Sequence, residues 1–227
     1  MAKLLLIIII LGLLAYIFFD LYQMSEPFSD LNPLAKKYTS KGVEDLGSAN
    51  LVTSVVVTYR GLDTLGEVTV LFLAAIAIGF ILGKKNINSK SIKKASEILT
   101  IGSDFLLPLI ILFGVYIFIH GHLTPGGGFQ GGVIIASGAL LSILANKSVF
   151  KRETTLNLIE SLSGLFYLIT GLLGLMLTGS FLDNRFLPLG EPGKLISAGA
   201  IPLIYTLIGL KVGAELVSIL KRMGGSR

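Results

Sequence analysis

Six apolar runs, most of them near the roughly 20 residues that a bilayer-crossing helix needs, leave this chain few ways to fold. They are Leu4–Phe19, Val68–Gly83, Ile98–Ile119, Val133–Ala145, Leu156–Leu177 and Leu195–Leu220. In hydrocarbon each segment has to satisfy its own backbone hydrogen bonds, so runs of this kind form helices. Charged residues make up 15% of the chain, against about 25% in an average soluble domain. The expected fold is an all-α membrane protein with about six transmembrane helices and a Gly-rich outer hairpin loop.

Leu4–Phe19 competes with a cleaved signal peptide. Only Phe18-Phe19-Asp20 follows it, with no small-residue cleavage site, so it reads as an uncleaved first helix. Residues 20–50 are mixed and polar and read as an extramembrane connector. Leu51–Tyr59 is too short to span and fits an interfacial or re-entrant piece better than a strand. The proposed division is 1–47 for the anchor helix and connector, 48–86 for a second segment, and 87–227 for a four-helix membrane domain. Glycines recur at Gly164, Gly171 and Gly174, and again at Gly209 and Gly213 with GxxxG spacing, which marks close-packing faces.

A net charge of +5 suits nucleic acid only where a basic stripe lies on a soluble domain, and there is none. Loop lysines following the positive-inside rule account for it better. Six spans put twelve Lys and Arg residues on the side of both termini and six on the other, with Lys211 inside a span. Both termini are therefore expected in the cytoplasm of a multi-pass plasma-membrane protein. The absence of cysteine excludes thiolate-held clusters and disulfides within the chain. Two histidines leave little material for haem or zinc, so no cofactor and no metal are expected.

Between the third and fourth runs lies Gly121-His122-Leu123-Thr124-Pro125-Gly126-Gly127-Gly128-Phe129-Gln130-Gly131-Gly132, preceded by His120. Six glycines and a proline argue against a regular helix through it. Such a break is tolerated at membrane depth where protein buries it or where it lines a wet cavity. Two readings stay open, a packed joint and part of an ion path. The glycine amides would also suit an anion-binding nest, or the glycines admit a neighbour closely. His120 and His122 would relay protons near neutral pH or brace the hairpin by hydrogen bonds.

An ionisable group inside a bilayer costs at least about 2.5–3.5 kcal/mol and is a functional candidate by default. Glu67 opens the second run, with Asp63 one turn earlier as a candidate helix cap and Arg60 able to pair with either. Asp104 lies within the third run. Glu160, near the start of the fifth, reads as interfacial. Lys211 and Glu215 share one face of the sixth and form either a structural pair or a proton-transfer group.

The run His120 to Gly132, with Leu106-Leu107-Pro108 ahead of it, resembles the B subunit of Mrp-type multisubunit cation/proton antiporters, over roughly residues 95–220. The block Arg60-Gly61-Leu62-Asp63-Thr64-Leu65-Gly66-Glu67 resembles the C-terminal end of the A subunit of the same antiporters, over roughly 48–83, and a small subunit of membrane-bound hydrogenases. The chain looks like a fusion of the two pieces. The resemblance implies a non-catalytic membrane subunit of a Na+/H+ antiporter module, alone or coupled to a hydrogenase-like redox arm. It implies partnership with the other antiporter subunits, redox subunits where such an arm exists, Na+, H+ and lipid, but not nucleic acid. It singles out Glu67 and the hairpin Pro125, Gly126, Gly127, Gly128, Phe129 and Gln130. The rival reading is a purely structural subunit in which no carboxylate titrates.

Overall fold

The computed structural model describes residues 2–24, 31–82, 95–145 and 153–224. The lysine-bearing stretches 84–94 and 147–152, on which the charge asymmetry leans, lie outside the described residues. The chain divides into a small unit, Met1–Lys37, and a large one, Tyr38–Arg227. The small unit holds α1 (Ala2–Met24), whose described side chains are all exposed and mostly apolar, and the start of α2 (Pro33–Leu46). Asn32 caps α2 by accepting from the Ala35 amide at 2.8 Å, so the polar connector is partly helical.

The large unit is an all-helical bundle. After α2 come the single turn α3 (Leu51–Thr53), a π-helical turn over Ser54–Tyr59, and α4 (Gly61–Leu82). The Leu51–Tyr59 stretch is thus helical, and a π turn of this kind is found at functional sites more often than elsewhere. Then follow α5 (Glu97–Ile119), α6 (Gly128–Leu144), α7 (Glu153–Thr178), a short 3-10 turn (Asn184–Phe186) and α8 (Ile201–Gly224).

Helices α4, α5, α7 and α8 are long and apolar enough to cross a membrane, while α6 and the Leu5–Asp20 part of α1 are shorter apolar helices. The 17 residues of α6 reach about 26 Å at 1.5 Å per residue, just under a hydrocarbon core. Pro108 lies inside α5 without ending it. It removes the amide that would bond the Asp104 carbonyl, which weakens the turn there.

Two boundaries differ from expectation. The glycine stretch is non-helical only to Gly127, and α6 begins at Gly128, so its last glycines are helical. Glycine costs a helix only about 1 kcal/mol, and close packing offsets that here. The sixth span starts at Ile201 rather than Leu195. Ala198 (φ 62°) and Gly199 (φ 55°) adopt left-handed backbone, which no α-helix passes through.

The hub is α8, whose central stretch is 67% buried, against 6% for α4 at the edge. It crosses α6 at glycine. A methyl group on Gly132 would meet the Gly209 oxygen at 2.9 Å and the Gly213 nitrogen at 3.0 Å, so the two backbones are nearly in contact. Gly114 of α5 fits against the Gly131 carbonyl on the other side of α6 in the same way. The glycines of α7 serve another purpose, because Gly171 and Gly174 receive Phe181 and the Asp183 backbone of the returning loop, not a helix. Gly61 of α4 abuts Leu182, Gly121 after α5 abuts Tyr205 of α8, and Gly79 abuts Arg222. The bundle therefore alternates up and down, with the start of α4, the glycine turn and the 179–200 loop at one end.

Candidate functional site

At that end the glycine turn is clasped by the segment just before α4. Asn50 donates through Nδ2 to the carbonyls of Gly121 (2.9 Å) and Thr124 (3.0 Å) and accepts through Oδ1 from the Val52 (3.1 Å) and Thr53 (3.4 Å) amides. The Asn50 amide and the Ser48 hydroxyl both donate to the His122 carbonyl at 3.0 Å. Thr53 donates to the Gly121 carbonyl at 2.7 Å and accepts from the Tyr205 hydroxyl at 3.0 Å. A turn whose carbonyls are satisfied this way is a built joint. Neither Asn50 nor Thr53 stands out in the sequence, since Asn50 is one polar residue at the end of a polar connector and Thr53 one hydroxyl in a stretch rich in β-branched residues.

The hairpin residues divide between the joint and the surface. Pro125 and Gln130 are exposed, while Phe129 packs against the main apolar cluster around Ile204, Tyr205 and Ile208. A methyl on Gly126 would meet the Ile117 carbonyl at 2.8 Å, and one on Gly128 the Ile208 side chain at 2.6 Å. Gly127 has φ 155°, where side chains are strained, and Tyr205 lies 3.3 Å from where its Cβ would stand. Close approach therefore accounts for these glycines. His120 caps α5, its ring stacked on Tyr116. His122 is fully buried, with Nε2 3.4 Å from the Lys194 carbonyl. Burial holds its imidazole below the ordinary pKa, outweighing the backbone carbonyls that favour the cation. It sits in the joint as a neutral ring.

The 179–200 loop closes the same end. Asn184, fully buried, donates to the carbonyls of Leu46 and Ala198, both at 2.8 Å, and so ties three segments together. Asp183 is buried and chelated by Arg185, whose Nε lies at 2.9 Å and Nη2 at 2.5 Å. Burial pushes the Asp183 carboxyl up, but Arg185 more than reverses this and holds it below the usual range. A depressed carboxyl stabilises the fold above its unfolded value near 4 and loses that contribution as pH falls through the folded value. We expect Asp183→Ala to cost about 1–2 kcal/mol, discounted because Arg185 is half exposed, with the difference from wild type closing below about pH 4. Thermal unfolding at several pH values checks this.

The charged candidates separate. Arg60 pairs with Asp63 at the exposed start of α4, not with Glu67. Asp104 lies on the exposed face of α5. Glu67, Lys211 and Glu215 fall along a single seam between α4, α7 and α8. Glu67 stands exposed on α4, within electrostatic reach of Tyr167 of α7. Tyr167 is 2% exposed, and its hydroxyl has no hydrogen-bond partner. Below it α4 and α7 part around a cleft of about 270 Å³, lined by Phe72, Glu160, Gly164, Tyr167 and Lys211 among others. The Lys211 ammonium lies 4.8 Å from the Phe72 ring centre and 3.5 Å from Glu215. Glu215 is 1% exposed, and both its oxygens lack hydrogen-bond partners. Glu160, which reads as interfacial in the sequence, forms part of the cleft wall within electrostatic reach of Glu215. Tyr167 and Phe72 are what the sequence hides, because an aromatic in an apolar run carries no signal of its own. Among the described residues no group of three or more His, Cys, Asp or Glu side chains is placed to hold a metal ion.

Residues 98–218 match a family described as a domain related to the MnhB subunit of Na+/H+ antiporter, and residues 2–97 match the family of the E subunit of MBH. An uncharacterized protein of Methanocaldococcus jannaschii is 31% identical, the match covering 83% of this chain and 84% of that protein. A chain in the structure of the membrane-bound sulfane sulfur reductase, an archaeal respiratory membrane complex, is 42% identical with a TM-score of 0.84, over 98% of both chains. A chain of the Mrp complex from Dietzia sp. DQ12-45-1b shares the fold at 24% identity and a TM-score of 0.76. It covers 96% of this chain, which spans only 25% of that one. The chain is a multi-pass membrane protein that belongs to the family of domains related to the MnhB subunit of Na+/H+ antiporter.

Proposed function

We propose that this chain is a membrane subunit of a multisubunit cation/proton antiporter module, working alone as an Mrp-type complex or beside a hydrogenase-like redox arm. Family membership carries the module, and the polar seam of Glu67, Tyr167, Lys211 and Glu215 carries the part this chain plays in it. The glycine turn and its Asn50 clasp form the structural joint, and the seam supports ion movement. Its partners are the other antiporter subunits, with Na+, H+ and lipid. The chain is non-catalytic and binds no redox cofactor of its own, which fits a chain without cysteine. It sits in the plasma membrane with both termini in the cytoplasm.

Purification from native membranes in mild detergent should bring down the other antiporter subunits, and a chain that emerges alone would sink the proposal. The orientation has its own check. In this cysteine-free chain, Thr124→Cys on the exposed turn should react with an impermeant maleimide from outside intact cells, while Met223→Cys at the opposite end of the bundle should not. The reverse pattern overturns the cytoplasmic termini. Labelling the isolated subunit controls for a partner lying over the turn.

A further inference from the structure

We infer that the cleft between α4 and α7 is a proton-loading site, in which the cluster of Glu160, Glu215 and Lys211 takes up one proton; this deepens the antiporter reading and rests on it. Lys211 contributes one positive charge and the two carboxylates two negative ones, so the unloaded cluster carries one net negative charge inside the bundle. One proton cancels it. Unpaired charge at membrane depth is costly, so a cluster one proton short of neutrality has a built-in reason to take one up.

The geometry decides between a proton and a metal cation. Glu215 is 1% exposed, and its carboxylate meets Lys211 only at 3.5 Å, longer than an ordinary hydrogen bond. Both its oxygens are thus free to carry an O–H bond. The tethered ammonium already fills the position a bound cation would take, and Phe72 backs it. A sodium ion would have to displace that ammonium from Glu215, and of the side-chain oxygens on the cleft wall, those of Glu160, Thr69, Ser161 and Tyr167, only the Glu160 carboxylate carries charge.

The cleft itself is the route. At about 270 Å³ it has room for several waters, each taking about 30 Å³. Tyr167 forms part of its wall, and the unpartnered hydroxyl of that residue is within electrostatic reach of Glu67. In the loading step a protonated water in the cleft breaks one of its O–H bonds, leaving neutral water, and the proton forms an O–H bond on a carboxyl of the cluster. Unloading is the reverse, and no electron moves. The other charges facing Glu215 do not supply a rival acceptor. The helix α6, which packs against α8, has no ionisable residue at all. On α5, Glu97 and Asp104 are exposed. Lys221 and Arg222 follow about two turns later on α8 itself.

Infrared difference spectra of the whole complex in lipid, titrated with pH, test this. Wild type should develop the carbonyl band of a protonated carboxyl on acidification, and Glu215→Gln should lose it. Replacing Na+ by choline should leave the midpoint of that band unmoved. A band that survives Glu215→Gln, or a midpoint that moves with Na+ concentration, overturns the proton site. If Glu215→Gln alone fails to assemble, Glu160→Gln keeps the Lys211–Glu215 pair at zero net charge and should lose the same band. Its survival there overturns the proposal equally. The spectra need no transport, so a complex that shows the band but exchanges no Na+ for H+ defeats the antiporter reading alone.

Discussion

Gly132→Val should strip this subunit from its complex. At this position a Cβ meets the Gly209 oxygen, the Val212 Cβ and the Gly213 nitrogen between 2.9 and 3.0 Å. Two of those three atoms are backbone of the hub helix, so no side-chain rotation relieves the clash. Overpacking of this kind costs about 1–3 kcal/mol even where neighbours can shift, and the crossing of α6 on α8 holds the bundle together. A native gel should show the complex without this chain, or none at all. Gly102→Ala is the control, since nothing lies within 4 Å of its would-be Cβ and the helix around it gains about 1 kcal/mol in propensity. Gly127→Val should be intermediate. Its backbone is strained for a side chain, but the nearest atom is Oε1 of Gln130, which is exposed and can turn away. An assembled Gly132→Val complex would mean that the α6–α8 crossing is looser than the structure has it.

The α6–α8 crossing is also where sequence and structure agree most closely, because GxxxG spacing at Gly209 and Gly213 has one physical meaning, and the facing glycines supply the other half. The glycine turn and the start of α4 share one end of the bundle, as alternation of six spans requires. What was hidden has a common cause. The start of α8 was misplaced because Leu195 and Ile196 are apolar yet exposed, and only the left-handed Ala198 and Gly199 betray the turn. In lipid, apolar character marks depth and not burial, so it says little about which face of a helix meets protein. For that reason the sequence could not sort Asp104, on an exposed face, from Glu215, which is sealed inside. Nor could the sequence show that Glu160 lines the same cleft as Lys211, which lies on another helix.

Glu67→Gln should abolish most cation-coupled proton movement while leaving the complex assembled. Glu67 is exposed on α4 and makes no ion pair with Arg60, which is engaged by Asp63, so nothing in the described structure depends on its charge for folding. Glutamine keeps its size, and Glu67, the seventh residue of α4, lies beyond the first turn in which the helix dipole favours a carboxylate. If Glu67 were only an exposed carboxylate on the face of α4, transport would scarcely change. If it feeds the seam through Tyr167, the substitution removes the titrating group at the entrance, and Na+-dependent proton movement in inverted vesicles should fall about tenfold or more, a barrier increase of about 1.4 kcal/mol at least. Glu67→Asp keeps the charge and shortens the reach by one methylene, so it should retain partial activity. Tyr167→Phe offers a cross-check, because it removes only the unpartnered hydroxyl from a well-packed ring. It should slow transport with little effect on assembly, and combining it with Glu67→Gln should add nothing further if the two act in series. Wild-type transport in an assembled Glu67→Gln complex would leave the seam without an entrance and this chain as scaffold.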